Sequence, residues 1–420
     1  MENLAVKLGP SGPACRSCGA SLSETVADLG MTPLANAYLR AEQLGAAEAF
    51  YPLRVFVCES CWLAQLEEFE SPETIFSDYA YFSSFSDSWL AHARQYVESI
   101  TARLGLDASS QVVEIASNDG YLLQYFHARG IPVLGIEPAA NVARAAIERG
   151  IPTEVRFFGE QTARELVARG VRPRLLLGNN VLAHVPRLND FVRGMAILLA
   201  PGGVITMEFP HLLQLMQHNQ FDTIYHEHFS YFSLIAVEAV FARHGLTLFD
   251  VEELPTHGGS LRIYARHARE QSPGVSAGVA ALRAREEAAG LRAIETYRAF
   301  DAQVKRTKRA LLRELIALKE AGKTIVGYGA AAKGNTLLNY CGIGRDFLDY
   351  VVDRSPHKQG LFLPGTHVPI RHPDVIRETR PDVLLILPWN IKDEVMEQMA
   401  HIREWGGRFA VPIPEATLYA

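Results

Sequence analysis

A chain of 420 residues is too long for one ordinary hydrophobic core, and with 48% hydrophobic residues it reads as two or three globular domains. Its formal net charge of -6 excludes the basic excess expected of a surface that tracks nucleic-acid phosphates. No apolar run reaches membrane-spanning length and the N-terminus lacks a charged-then-apolar signal, so a cytoplasmic protein without membrane or nucleic-acid partners is expected.

Four of the five cysteines fall into two pairs, Cys15-Arg-Ser-Cys18 and Cys58-Glu-Ser-Cys61. Each pair can curl around one ion, and four thiolates suit a closed tetrahedral zinc site that holds the fold and does no chemistry. A redox reading needs only one such pair in a thioredoxin-like context, which is missing. Pro52, Leu53, Val55 and Val57 have the alternation of a strand feeding the second pair.

Next come Gln111-Val-Val-Glu-Ile-Ala-Ser-Asn-Asp-Gly-Tyr121, a buried strand breaking into a turn, then a helical segment from Leu122 to Arg129 and a second strand, Val133–Ile136, ending in Glu137. In such a β-α-β start the first loop meets the ligand, and the acid after the second strand accepts hydrogen bonds from a ribose. The loop is not the dinucleotide fingerprint, and Glu114 and Asp119 repel a pyrophosphate, so a cationic or zwitterionic ligand fits better. With Glu114, Ala116, Asn118, Asp119, Gly120 and Glu137 in these places, the pattern resembles the first motif of class I methyltransferases that use S-adenosylmethionine. The family usually has Gly where this chain has Ala116. Leu175 to His184, with Asn179 and Asn180, resembles the fourth strand and its loop, and Leu198 to Glu208 the Pro-Gly-Gly turn and fifth strand.

The run Asn219-Gln-Phe-Asp-Thr-Ile-Tyr-His-Glu-His-Phe-Ser-Tyr231 packs a carboxylate, two imidazoles and two phenols into a proton-handling cluster. If extended, Tyr225 and Glu227 point one way and His226 and His228 the other. His226 also suits a backbone carbonyl partner, and Phe229, Tyr231 and Phe232 suit a core. The His-Glu-His spacing does not match the helical zinc motif of metalloproteases. Ser276 to Ala321 reads as long amphipathic helices. Beyond them, Thr324 to Asn335 gives a strand, a glycine turn and a helix start; Phe347 to Val352 gives a strand ending in Asp353; Pro381 to Asn390 gives a third strand. This is a second Rossmann-like unit whose turn amides and Lys333 suit a diphosphate, or merely pack a helix on a sheet.

The cysteine pairs, Asn179 to His184, Glu208-Phe-Pro-His211, Tyr225-His-Glu-His228 and Thr256-His-Gly-Gly-Ser-Leu-Arg262 occur in the same order in the sugar C-methyltransferases, which this chain resembles over nearly its whole length. That resemblance implies an α/β fold: a zinc-binding N-terminal module (1–75), a class I methyltransferase domain (76–265), and a helical linker with a Rossmann-like C-terminal domain (266–420). It implies an enzyme that transfers a methyl group from S-adenosylmethionine to C3 or C5 of a nucleotide-linked 4-keto-6-deoxysugar held between the domains, and a monomer is expected. His228 is then the base that makes an enolate, Tyr225 and Tyr79 are polar partners of the keto-enolate unit, Glu227 tunes its neighbours, and His184 faces the cleft. Tyr81 can substitute for Tyr79. His257, Gly258, Ser260, Arg262, Lys333 and Asn335 are expected to contact the substrate. Two other readings stay open: a nucleotide-sugar oxidoreductase using NAD at the C-terminal glycine turn, and a non-enzymatic zinc-ribbon adaptor, which leaves the acid–base cluster idle.

Overall fold

The computed structural model describes residues 12–76 and 82–419, so Tyr79 and Tyr81 lie outside the described residues. The chain divides into two compact units that interleave in sequence. The first comprises 1–23, 58–211 and 229–292; the second comprises 24–57, 212–228 and 293–420.

The first unit is built on a seven-stranded sheet. Its strands lie in the order Leu246–Leu254, Ser260–His267, Val204–Pro210, Leu175–Asn179, Val112–Ile115, Val133–Ile136 and Thr153–Glu154. The last five are mutually parallel and Ser260–His267 runs antiparallel to both its neighbours. Val112–Ile115 is buried along its whole length, as a central parallel strand covered on both faces must be. The core beneath it gathers Phe126, Leu122, Val97, Ile100 and Leu175 around the helix Asp87–Leu104. Each such fully buried large side chain contributes on the order of 1.5–3 kcal/mol. That helix starts where Ser86 accepts the Trp89 N–H at 3.3 Å and stops at left-handed Gly105. The segment expected to be helical over Leu122 to Arg129 is helical over Leu123–His127.

The second unit carries a six-stranded sheet in the order Ile370–Arg371, Val351–Val352, Ile325–Tyr328, Val383–Ile386, Arg408–Val411 and Thr417–Tyr419, parallel except for the last strand. The strand expected over Phe347 to Val352 is confined to Val351–Val352, because the Phe347 and Leu348 amides bond back to Gly344 in a turn. A hairpin of Glu24–Thr32 and Tyr51–Val57 belongs to this unit, as does the helix Ile294–Glu320. The helix buries Tyr297, Phe300, Val304, Leu311, Leu315 and Leu318 at helical spacing, and its Arg298 pairs with Glu24 of the hairpin at 2.8 Å. Among the described residues no helix is long and apolar enough to cross a membrane.

Candidate active site

In the first unit Cys15, Cys18, Cys58 and Cys61 place their four sulfur atoms within 4.8 Å of one another, the one such metal-competent group among the described residues. Cys15 and Cys61 are 3.5 Å apart, Cys18 and Cys58 3.4 Å, distances that a tetrahedral zinc ion can span. The contact between Cys15 and Cys61 lowers the pKa of the first and raises that of the second, as two thiols sharing one proton must, and the Gln65 amide lies 3.2 Å from the Cys15 sulfur. Thiolate is the form that ligates zinc.

The cofactor loop follows Val112–Ile115. Ala116 and Asn118 adopt left-handed backbone, φ +57° and +49°, so the methyl group of Ala116 sits where glycine is the unstrained choice. Glu137 fastens this turn: one oxygen accepts the Asn118 N–H and the other the Ala139 N–H, each at 2.9 Å. Burial nevertheless pushes its carboxyl up to about 7. Glu114 is fully buried, its carboxyl driven well above the usual range by burial and by Glu137 and Asp119. Neither Glu114 oxygen, nor Asp119 Oδ1, nor Asn179 Nδ2 has a hydrogen-bond partner among the described residues. Buried carboxylates left open in this way fit a ligand bearing a positive charge and hydroxyl or ammonium donors, which S-adenosylmethionine has. Three residues that the motif did not flag complete the loop. Arg149 bonds the Asp119 carboxylate at 3.2 Å, and the Ser84 hydroxyl donates to the same group. Ser83 N–H donates to Asn118 Oδ1 at 2.9 Å.

Beside the loop, Asn180 and His257 both hold left-handed backbone, φ +54° and +55°, and meet side chain to side chain at 3.2 Å. Strain at two non-glycine residues in contact is a mark of functional positions. His257 also lies against Trp89, ring centroids 5.3 Å apart, and Gly258 follows it with φ +89°. His184 ends a short 3-10 turn, Leu182–His184, after the Leu175–Asn179 strand. Ser260 and Arg262, expected at the substrate, are turned inward instead. The Ser260 hydroxyl donates to the Thr256 carbonyl at 3.0 Å, and Arg262, directly across the sheet from Glu208, pairs with it at 2.7 Å and with Glu252 at 3.0 Å. Glu208 takes further bonds from His92, 3.0 Å to each oxygen, and from Thr256 at 3.1 Å.

The acid–base run lies in the second unit up to His228. The alternation expected of an extended segment is overturned, because the His228 N–H bonds the Tyr225 carbonyl at 2.9 Å in a turn. The turn brings the Tyr225 and His228 rings face to face at a tilt of 35°, centroids 3.9 Å apart. His228 Nδ1 lies 2.8 Å from the Thr223 carbonyl. A carbonyl only accepts, so Nδ1 carries the proton and Nε2 carries the lone pair of the neutral ring. His226 is spent on the Pro52 carbonyl at 3.2 Å, and burial lowers its pKa. Glu227 is buried and pushed up to about 7 by desolvation, with the Asn36 amide donating to it at 2.6 Å. Asn36 lies in no recognisable motif, and only the three-dimensional contact identifies it.

This turn is tied to the carboxyl edge of the six-stranded sheet, where α/β folds place ligands. Trp389, beyond Val383–Ile386, donates its indole N–H to Asp222 at 2.7 Å. Tyr38, two residues from Asn36, donates to the carbonyl of Ala330, in the turn after Ile325–Tyr328, at 2.5 Å. Lys333 bonds Asn390 at 2.8 Å and lies over the Trp389 ring, its pKa lowered by burial and supported by Asp222. Asp222 is itself pushed up to about 7 by burial. Asn335 is buried, its amide given to the Ala35 carbonyl at 2.6 Å. Gly329 has φ +91° and a Cβ there would meet Pro388 at 2.6 Å, so packing alone accounts for this glycine. Asp353 repeats the part of Glu137, accepting the Ala330 and Ser355 N–H groups at 2.7 and 2.8 Å.

Residues 15–76 match the domain family described as "Putative zinc binding domain", residues 89–251 a methyltransferase domain, and residues 255–414 a C-methyltransferase C-terminal domain. The chain is 39% identical to C-methyltransferase NovU of Streptomyces niveus over 96% of its own length and 95% of that protein. It is 34% identical to a ubiquinone biosynthesis O-methyltransferase of Methylobacterium sp. (strain 4-46), over 23% of this chain and 39% of the other. Among solved structures, a SAM-dependent methyltransferase from Anabaena variabilis ATCC 29413 is 15% identical, with a TM-score of 0.35 over 43% of this chain and 86% of that one. The PH0226 protein of Pyrococcus horikoshii OT3 is 13% identical, with a TM-score of 0.35 over 47% of this chain and 99% of that one.

Proposed function

The chain belongs to the C-methyltransferase family, and from that premise we propose that its acceptor is a ring carbon, C3 or C5, of a nucleotide-linked 4-keto-6-deoxysugar, with His228 as the base. As a member of the family it is an S-adenosylmethionine-dependent enzyme, and its N-terminal knot binds zinc. A carbon acceptor, unlike a hydroxyl or amine, has no lone pair until a proton beside the ketone is removed. The observation that carries the reading is the His228 tautomer: the Thr223 carbonyl holds Nδ1–H, which leaves Nε2 basic and oriented. Proton transfer from carbon to Nε2 leaves an enolate, and the Tyr225 hydroxyl, on the ring facing His228, is the donor we assign to its oxygen. S-adenosylmethionine, when bound, supplies the electrophilic methyl group. Glu227 and Asn36 hold the turn, and Lys333 at the sheet edge supplies a cation for the diphosphate.

The test is a turnover assay with thymidine-, guanosine- and cytidine-diphosphate-linked 4-keto-6-deoxyhexoses, each offered with S-adenosylmethionine. His228→Asn and His228→Ala should keep cofactor affinity while methyl transfer falls by roughly 10²-fold or more. Near-normal turnover by folded His228→Ala removes the assignment, and calorimetric binding of NAD in place of S-adenosylmethionine removes the reaction class.

A further inference from the structure

The zinc knot is bonded to more than its own loops. Arg16, between the first two ligand cysteines in sequence, sends one guanidinium nitrogen to the Pro186 carbonyl at 3.3 Å and another to the Leu66 carbonyl. Its charged end lies over the Phe229 ring, 5.5 Å from the centroid. Pro186 is two residues past His184, and Phe229 directly follows His228. The surrounding bonds pull on the same two segments. Asn189 gives its amide to the carbonyls of Arg16 and Ser17, both at 3.0 Å, while its oxygen faces His244 Nε2 at 2.9 Å. The Leu66 N–H donates to the Phe229 carbonyl at 3.0 Å, and Ala64–Leu66 pairs antiparallel with Ser230–Tyr231. Gln65 closes the circuit, accepting the Arg16 N–H at 2.9 Å and donating to the Cys15 sulfur at 3.2 Å.

We propose that Arg16 and Asn189 are positioning residues for methyl transfer: through them the zinc knot clamps both the turn that carries His184 and the chain leaving His228. This rests on the reading of those two histidines given above. The physical reason is reach. Each histidine ends a short turn, Leu182–His184 or Tyr225–His228, and lies outside the regular element that follows it, the helix Leu188–Leu198 or the strand Ser230–Tyr231, whereas catalytic groups displaced by about 1 Å can lose about 10²-fold in rate. A guanidinium that bridges two carbonyls and a ring supplies a rigid planar link that a lysine cannot reproduce.

The experiment compares Arg16→Met and Asn189→Leu with wild type and with His228→Ala, all as full-length zinc-loaded protein. Hydrogen exchange read by mass spectrometry should speed up in peptides covering 182–190, 64–66 and 229–232 in both clamp variants, with zinc content and S-adenosylmethionine affinity retained. With the acceptor panel above, kcat should fall roughly 10-fold or more while KM stays within about threefold, the signature of lost alignment rather than lost binding. Unchanged exchange, or kcat within about twofold of wild type in both variants, overturns the clamp. Loss of zinc from both variants overturns it too, since Arg16 and Asn189 then only support the knot. An active His228→Ala sinks the base assignment instead, and exchange over 182–190 still decides the clamp at His184. Should Arg16→Met fail to fold, Asn189→Leu, which leaves the guanidinium intact, carries the decision.

Discussion

Replacing Arg262 by methionine removes the guanidinium partner of a carboxylate, Glu208, that is 0% exposed. In the native protein Glu208 has a lowered pKa although burial, the largest influence on it, pushes upward; His92 and Arg262 together overcome that penalty. Without Arg262, His92 alone is left to oppose the burial influence and the carboxyl rises. Breaking a buried pair from one side costs about 3–5 kcal/mol, because a charge is left uncompensated. The lost position of Arg262 over Tyr96, 4.4 Å from the ring centroid, adds about 1 kcal/mol, while half-exposed Glu252 adds little. At about 2–4 °C per kcal/mol, the thermal midpoint should drop by roughly 8–24 °C at pH 7.5. The sign with pH separates this account from a simple packing defect. Native Glu208, with its depressed pKa, stabilises the fold above the unfolded value of about 4.3 and stops doing so as pH falls through the folded value. In Arg262→Met the carboxyl is raised, so the folded state favours the protonated form and stability is lost as pH rises past about 4.3. The gap between the two proteins must therefore widen from pH 4 to pH 7.5. Thermal unfolding followed by circular dichroism across that range measures it, and a gap that stays constant with pH refutes the reasoning.

Elemental analysis should find about one zinc per chain, and Cys18→Ser or Cys58→Ser should lower the thermal midpoint, because zinc ligation contributes directly to folding; metal-free protein of unchanged stability rules this out. Ala116→Gly relieves a left-handed alanine at φ +57° and should stabilise the protein by up to about 1 kcal/mol with cofactor affinity kept, as read by denaturant titration; a destabilised variant contradicts it. Glu137→Ala should weaken S-adenosylmethionine binding by roughly 1.5–3 kcal/mol in calorimetry. Burial raises Glu137 to about 7; if this carboxylate accepts the ribose hydroxyls its ionised form binds better, so wild-type affinity should climb as pH rises from 6 to 8, and a flat profile in wild type speaks against the assignment.

What the sequence disclosed is what short-range chemistry dictates. Two C-x-x-C pairs converge because four thiolates at that local spacing have few other uses, and the strand Val133–Ile136 lies where its apolar run between Pro132 and Glu137 puts it. The departures are all non-local. Arg262 read as a ligand contact because a lone cation in a Gly-Gly-Ser-Leu-Arg run invites that, yet the register that sets it opposite Glu208 appears only when two strands distant in sequence are paired. The segment Glu24–Val57 lies within the stretch that matches the zinc-binding family, and its residues Ala35, Asn36 and Tyr38 bond Asn335, Glu227 and Ala330 in the second unit, contacts that no local spacing announces. The acid–base run shows the same limit from the other side. Its residue types announced proton chemistry, while the assumed extended backbone pointed Tyr225 and His228 to opposite faces. One hydrogen bond, from the His228 N–H to the Tyr225 carbonyl, reverses that geometry and brings the two rings face to face. A period-two pattern carries geometric information only when a neighbouring strand enforces it, and the first residues here to pair in a strand are Ser230 and Tyr231, just past the chemistry.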